Sequence, residues 1–145
     1  MFSHTTEYAL RAVVWLADHT DEPQTAREIA DGMSVPPMYL SKVMQFLVRA
    51  GLVHGQRGKL GGFTLARPVD RMSVFDVVNA VDPIRRIVTC PLGLARHRKV
   101  LCPLHRKLDQ TLAAIEHDFK TTFLSDLVEA PAVEMVQLVG ASHAD

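Results

Sequence analysis

Apolar residues recur at helical spacing in several separate stretches of the chain. Tyr8, Ala9, Ala12, Val13, Trp15 and Leu16 predict a first helix running from Thr5 or Thr6 to about His19. A threonine hydroxyl at its start would cap free amides, and Glu7 suits the positive end of the helix dipole. Thr25-Ala-Arg-Glu28 has the form of a capping box and predicts a short second helix to about Met33, with Ile29 and Ala30 facing inward. Ser34-Val35-Pro36 turns the chain. Leu40, Val43, Met44 and Leu47 then predict a third helix, entered through Pro36 and Pro37 and ended at Gly51 in left-handed geometry. That register leaves Tyr39, Lys42, Gln45 and Arg49 on the outside.

The period then shortens. Leu52-Val53-His54 reads as a strand, the run from Arg57 to Gly62 as a turn, and Phe63 to Ala66 as the returning strand. Ser73 to Asp76 opens another capped helix, reaching Val81. Pro83, Pro91 and Gly93 mark an irregular stretch from Asp82 to Leu101, and Pro103 starts the longest helix, through about Lys120. Its apolar positions Leu104, Leu108, Leu112, Ile115 and Phe119 form a narrow seam of the kind that paired helices use. A short helix and tail follow from Leu124 to Val139, broken at Pro131.

These elements predict a mainly α fold. A winged helix-turn-helix domain occupies residues 1–82, a possible metal or redox sensor loop 83–102, and a long dimerisation helix with a C-terminal tail 103–145. Two short helices around a tight turn, then a glycine-rich hairpin, make a shape suited to duplex DNA. The candidate contacts are Thr25 and Pro37 at the helix starts, Tyr39, Ser41, Lys42 and Arg49 on the third helix, and Arg57, Lys59 and Gly61 in the hairpin.

Composition changes this picture little. Apolar residues make up 48% and charged residues 22%, as in an ordinary globular chain. Formal net charge is zero, which argues against a nucleic-acid partner until the distribution is read. Between Ser34 and Pro68 stand Lys42, Arg49, Arg57, Lys59 and Arg67 without one acid, so a neutral chain carries a basic face. The glycine-rich turn lacks the pattern of a nucleotide phosphate loop, and no nucleophile elbow or HExxH motif suggests an enzyme. No apolar run approaches a membrane span and no secretory signal is evident, so a cytoplasmic protein without a membrane partner is expected.

Several short motifs occur in a fixed order: Glu7-Tyr8-Ala9-Leu10-Arg11-Ala12, Tyr39-Leu40-Ser41-Lys42, Ala50-Gly51-Leu52-Val53, the run from Arg57 to Gly62, Val77-Val78 with Ala80-Val81, and Cys102-Pro-Leu-His105. As an ordered set over most of residues 5–128, they resemble the Rrf2 family of bacterial winged-helix regulators, the IscR/NsrR-like group. The resemblance implies a homodimer joined by the long helix and bound to a near-palindromic double-stranded operator. Half-sites would lie about one DNA turn apart.

The resemblance also bears on Cys90 and Cys102. Many relatives hold an iron–sulfur cluster with three cysteines in the loop before the dimer helix, completed by a histidine after the third or by an acid from the partner's first helix. Cys90 matches the first cysteine and Cys102 the third. Arg96, beside His97, stands near the place of the second; His105 matches the histidine and Glu7 the acid. The implied metal ligands are therefore Cys90, Cys102, Glu7 and His105, and histidine substitution favours a 2Fe–2S over a 4Fe–4S cluster. Such a centre would sense redox state, nitric oxide or iron–sulfur status. A single zinc or iron ion at Cys90, Cys102 and His105 stays open. So does a cluster-free regulator answering to thiol oxidation or a small ligand, and so does a protein-binding adaptor.

Overall fold

The structure is a computed structural model and describes residues 2–129; the expected tail beyond Glu129, with its break at Pro131, lies outside the described residues. Six helices and one hairpin follow each other as α1 (His4–Asp18), α2 (Ala26–Met33), α3 (Pro37–Arg49), β1 (Val53–Gln56), β2 (Gly62–Leu65), α4 (Val74–Val81), α5 (Pro103–Thr121) and α6 (Leu124–Glu129). Single 3-10 turns occupy Val69–Arg71 and Ala95–His97. The fold class is the expected one, a mainly helical chain with a two-stranded antiparallel wing.

Helix starts follow side-chain chemistry. α1 begins one or two residues earlier than expected because Ser3, not Thr5 or Thr6, is the cap: its Oγ accepts the Thr6 amide at 3.2 Å. Thr6 is instead buried, its hydroxyl 3.1 Å from that of Ser3. The capping box at α2 is complete, with the Thr25 amide donating to Glu28 at 2.7 Å and the Glu28 amide donating to Thr25 Oγ1 at 3.2 Å. Ser73 and Asp76 repeat the device at α4.

One core joins these elements. Ala12, Val13 and Leu16 of α1, Ile29 of α2, Leu40, Met44 and Leu47 of α3, and Leu52 and Val53 after it are all but inaccessible to solvent. Burying each large aliphatic side chain contributes about 1.5–3 kcal/mol. Leu124 of α6 belongs to the same cluster. After α5 the chain returns to α4: the Val74 amide donates to Thr122 O and the Leu124 amide to Met72 O, both at 2.8 Å.

α5 itself has no fully buried residue. Its later half leans on the start of α1, where Phe119 stacks on Phe2 with ring centroids 5.6 Å apart. Leu104 and Leu108 near its beginning are 60% and 45% exposed.

Candidate nucleic-acid interface and thiol–imidazole cluster

α2 and α3 meet at a turn that needs a left-handed residue. Ser34 fills it at φ 53, an arrangement that an L-residue adopts only with support. Arg11 supplies some, its guanidinium reaching the carbonyls of Met33 and Ser34 at 3.4 Å while lying over the Tyr8 ring. Tyr8 in turn faces Tyr39 on α3, ring centroids 5.9 Å apart. α1 thereby sets the angle at which α3 leaves the turn. Sequence reading places Arg11 in a motif but assigns it no such task, because the contact spans more than twenty residues.

The outer side of α3 is free. Pro37, Tyr39, Ser41, Lys42 and Arg49 are exposed, as are Thr25 at the α2 cap and Arg57 and Lys59 in the wing. Ser41, Arg49 and Arg57 come together with Gln45 and Gln56 along a groove of about 620 Å3 between α3 and the hairpin. Tyr39, Lys42 and Lys59 stand apart from that groove, Tyr39 because it packs on Tyr8. Among the described residues Arg67 pairs with Asp76 at 3.8 Å, whereas Lys42, Arg49, Arg57 and Lys59 engage in no ion pair. Four exposed cations of α3 and the wing thus have no acid bound to them among the described residues.

The hairpin is fastened at its base. Register runs Val53↔Leu65 through Gln56↔Gly62. Beyond the sheet, Gln24 exchanges two backbone hydrogen bonds with Phe63 at 3.0 and 2.7 Å. The Gln24 side chain accepts from the Trp15 indole at 2.9 Å, so the wing is tied to α1 through one residue. Gly61 is half-buried, and a Cβ there would strike the Gln56 carbonyl; its requirement lies in closing the turn.

A second cluster lies where the irregular segment meets α5. Cys102 is the N-cap residue of α5 and is buried, while Cys90 is half-buried on the loop. His105 sits one turn into the helix, its Nδ1 3.1 Å from Cys102 Sγ and 3.6 Å from Cys90 Sγ. His97 Nδ1 approaches Cys90 Sγ at 3.4 Å. The ligand atoms of Cys90, Cys102 and His105 all lie within 4.8 Å of one another. The backbone amide of His105 at the open helix end, followed by its imidazole and the Cys90 thiol, lowers the Cys102 thiol to about 7. Glu7, the acid that the resemblance adds, is not in this group; it sits on α1 with His4 at 3.8 Å.

The loop is held by a contact that leaves no sequence signal. Arg86 donates two hydrogen bonds to Asp109 of α5 at 2.8 and 2.7 Å, and the Ile87 amide adds a third at 2.9 Å. The Arg86 guanidinium, then the Ile87 amide, hold the Asp109 carboxyl at about 2.

This donor set meets the chemistry of an iron–sulfur group in part. Two thiols and an imidazole are the right atoms. A 2Fe–2S unit needs four protein donors, and within one chain three lie within 4.8 Å of one another; the acid that the resemblance adds would come from a partner's first helix.

Comparison with known proteins agrees with the architecture. The profile of the Rrf2 family, described as an iron-dependent transcriptional regulator, matches residues 2–130. A proposed HTH-type transcriptional regulator of Aquifex aeolicus (strain VF5) is 30% identical over 131 residues, spanning 88% of this chain and 91% of that protein. Among solved structures, CymR, the global cysteine regulator of B. subtilis, superposes with a TM-score of 0.74 at 24% identity, covering 91% of this chain and 98% of its own. IscR of T. potens gives 0.74 at 22% identity, covering 95% and 96%.

Proposed function

The chain belongs to the Rrf2 family of transcriptional regulators, a family of regulators rather than enzymes, and from that premise we propose that it is a homodimer that reads a near-palindromic duplex operator. The observation that carries this reading is the cationic, acid-free side formed by α3 and the wing. Ser41 and Lys42 on the early turns of α3 would meet base edges in the major groove. Arg57 and Lys59 would follow the phosphate backbone toward the minor groove.

Dimerisation is proposed from α5. Nineteen residues make a rod of roughly 28 Å at 1.5 Å per residue. Its leading half exposes Leu104 and Leu108 among the described residues, and a second copy of the helix would cover them. Two copies related by a two-fold axis set two recognition helices about one DNA turn apart. The cluster at Cys90, Cys102 and His105, beside the start of that rod, is proposed to hold an inorganic centre whose state biases the spacing of the two helices. No described helix is long and apolar enough to cross a membrane, and the proposed workplace is the cytoplasm.

The test is binding to a duplex from the region upstream of the chain's own coding sequence, read by fluorescence anisotropy over a range of salt. Lys42→Ala and Arg57→Ala each remove a phosphate or base contact. Each should weaken binding and reduce the slope of log K against log salt by about 1. Unchanged affinity and slope in both variants would overturn the docking side assigned to the protein.

A further inference from the structure

The loop that carries Cys90 brings a fourth donor which neither the comparisons nor the resemblance assigns. We propose that Cys90, His97, Cys102 and His105 form a self-contained site for one divalent transition-metal ion, with zinc the ion its chemistry suits best. The argument is geometric. Four-coordinate zinc takes thiolate at about 2.3 Å and imidazole at about 2.0–2.1 Å, so neighbouring sulfur and nitrogen ligands on a tetrahedron lie about 3.5 Å apart. The observed sulfur-to-nitrogen distances are 3.4 Å for Cys90–His97, 3.6 Å for Cys90–His105 and 3.1 Å for Cys102–His105. The two edges at Cys90 therefore already have the length that a single ion imposes, and the Cys102–His105 edge is shorter and would open slightly on loading.

The surroundings fit the same assignment. Cys102 and His105 stand at the first turn of α5, held by the helix and by the Arg86–Asp109 clamp, whose Asp109 lies four residues beyond His105 and whose Arg86 lies four before Cys90. Cys90 and His97 come from the loop, His97 on the single 3-10 turn Ala95–His97. His97 touches the group only at its Cys90 edge and lies outside the set of donors within 4.8 Å of one another, so completing the site requires the short turn Ala95–His97 to move inward. Two thiolates with two neutral imidazoles give a site whose charges cancel those of a divalent ion. On loading, two thiol protons leave to solvent and no electron moves. Mixed sulfur and nitrogen donors in a closed tetrahedron select zinc over magnesium or calcium.

This assignment deepens the inorganic-centre part of the reading above and is independent of its DNA part. The test uses the full chain, stripped with a chelator and titrated with Co2+ as a spectroscopic stand-in, then with Zn2+ as competitor. The expected result is one Co2+ per chain, with the intense visible bands of tetrahedral cobalt and thiolate charge transfer, displaced by Zn2+. His97→Ala should weaken binding by roughly tenfold or more and change the bands, while His97→Cys restores a four-donor site. Circular dichroism confirms that both variants keep their helices. Glu7→Ala leaves cobalt affinity unchanged if the four donors suffice.

Three results would overturn it. Iron with equimolar acid-labile sulfide in protein purified without oxygen would show a cluster there; the single-ion assignment would fall and the inorganic-centre reading would stand. Identical binding by wild type and His97→Ala would remove His97 from the site. Absence of any metal binding would sink the single ion and the inorganic centre together, leaving operator binding to its own test.

Discussion

Replacing Gly62 with alanine probes how firmly the wing is held to the rest of the chain. Gly62 has φ 147, a conformation that side-chain-bearing residues rarely adopt. Holding alanine there costs about 1–2 kcal/mol. A Cβ at this position would also stand 2.7 Å from the Gln24 carbonyl oxygen and 2.8 Å from its carbon, well inside van der Waals contact with backbone that has no easy way to yield. The exchange of hydrogen bonds between Gln24 and Phe63 must then open, at about 1 kcal/mol for each bond. The total is about 3–4 kcal/mol. At roughly 3–4 °C per kcal/mol for a chain of this size, the melting temperature should fall by about 9–16 °C. Gly58→Ala is the control, because Gly58 also has positive φ, at 110°, but a Cβ there meets nothing within 4 Å. It should lose strain energy alone, on the order of 1–2 kcal/mol. Both are read by thermal unfolding at one fixed protein concentration, since a dimer's melting point depends on concentration. If the two variants melt together, the Gln24–Phe63 tie does not hold the wing and the reasoning fails.

Thr25→Ala removes the cap of α2 and should cost about 1 kcal/mol in urea unfolding, with the slope of the transition unchanged. Leu47→Ala, deep in the core, should cost about 2–5 kcal/mol by the same assay. Leu108→Glu places a charge on the exposed seam of α5; if the proposed dimer forms through that seam, light scattering after gel filtration should report a shift toward monomer, with helix content retained. The Asp109 carboxyl is held at about 2, below its ordinary 3.8, so its contribution to stability is complete above the ordinary value and is lost as pH falls through about 2. The stability gap between wild type and Asp109→Asn should therefore be constant above about pH 5 and narrow on acidification; a gap that widens would reverse the sign of the argument.

What sequence disclosed here was local. Capping boxes at Thr25 and Ser73, proline at the start of α3 and α5, and the four inward residues of α3 each act within one or two turns, so their signals are adjacent in the chain. The start of α1 escaped by one or two residues because three hydroxyl residues compete within four positions, and burial of Thr6 decides in favour of Ser3. Half of the thiol–imidazole cluster was equally legible, since Cys102 and His105 are three apart on one helix face. Cys90 joined them only through the family resemblance, and the placing of His97 beside it was not legible, because it depends on how an irregular loop folds back against Asp109 through Arg86. The basic face could be counted from the sequence, but that Arg67 leaves it for Asp76 could not.

The return of the chain from α5 to α4 has a mechanical consequence. A pair of backbone bonds, Val74 to Thr122 and Leu124 to Met72, anchors the far end of the long helix, while the carboxylate of Asp109 anchors the near end through Arg86. A beam pinned at both ends to its own subunit has no freedom to pivot alone. In the proposed dimer, a torque arriving at its head would be delivered to the foot, where α4 packs on α1 and α3.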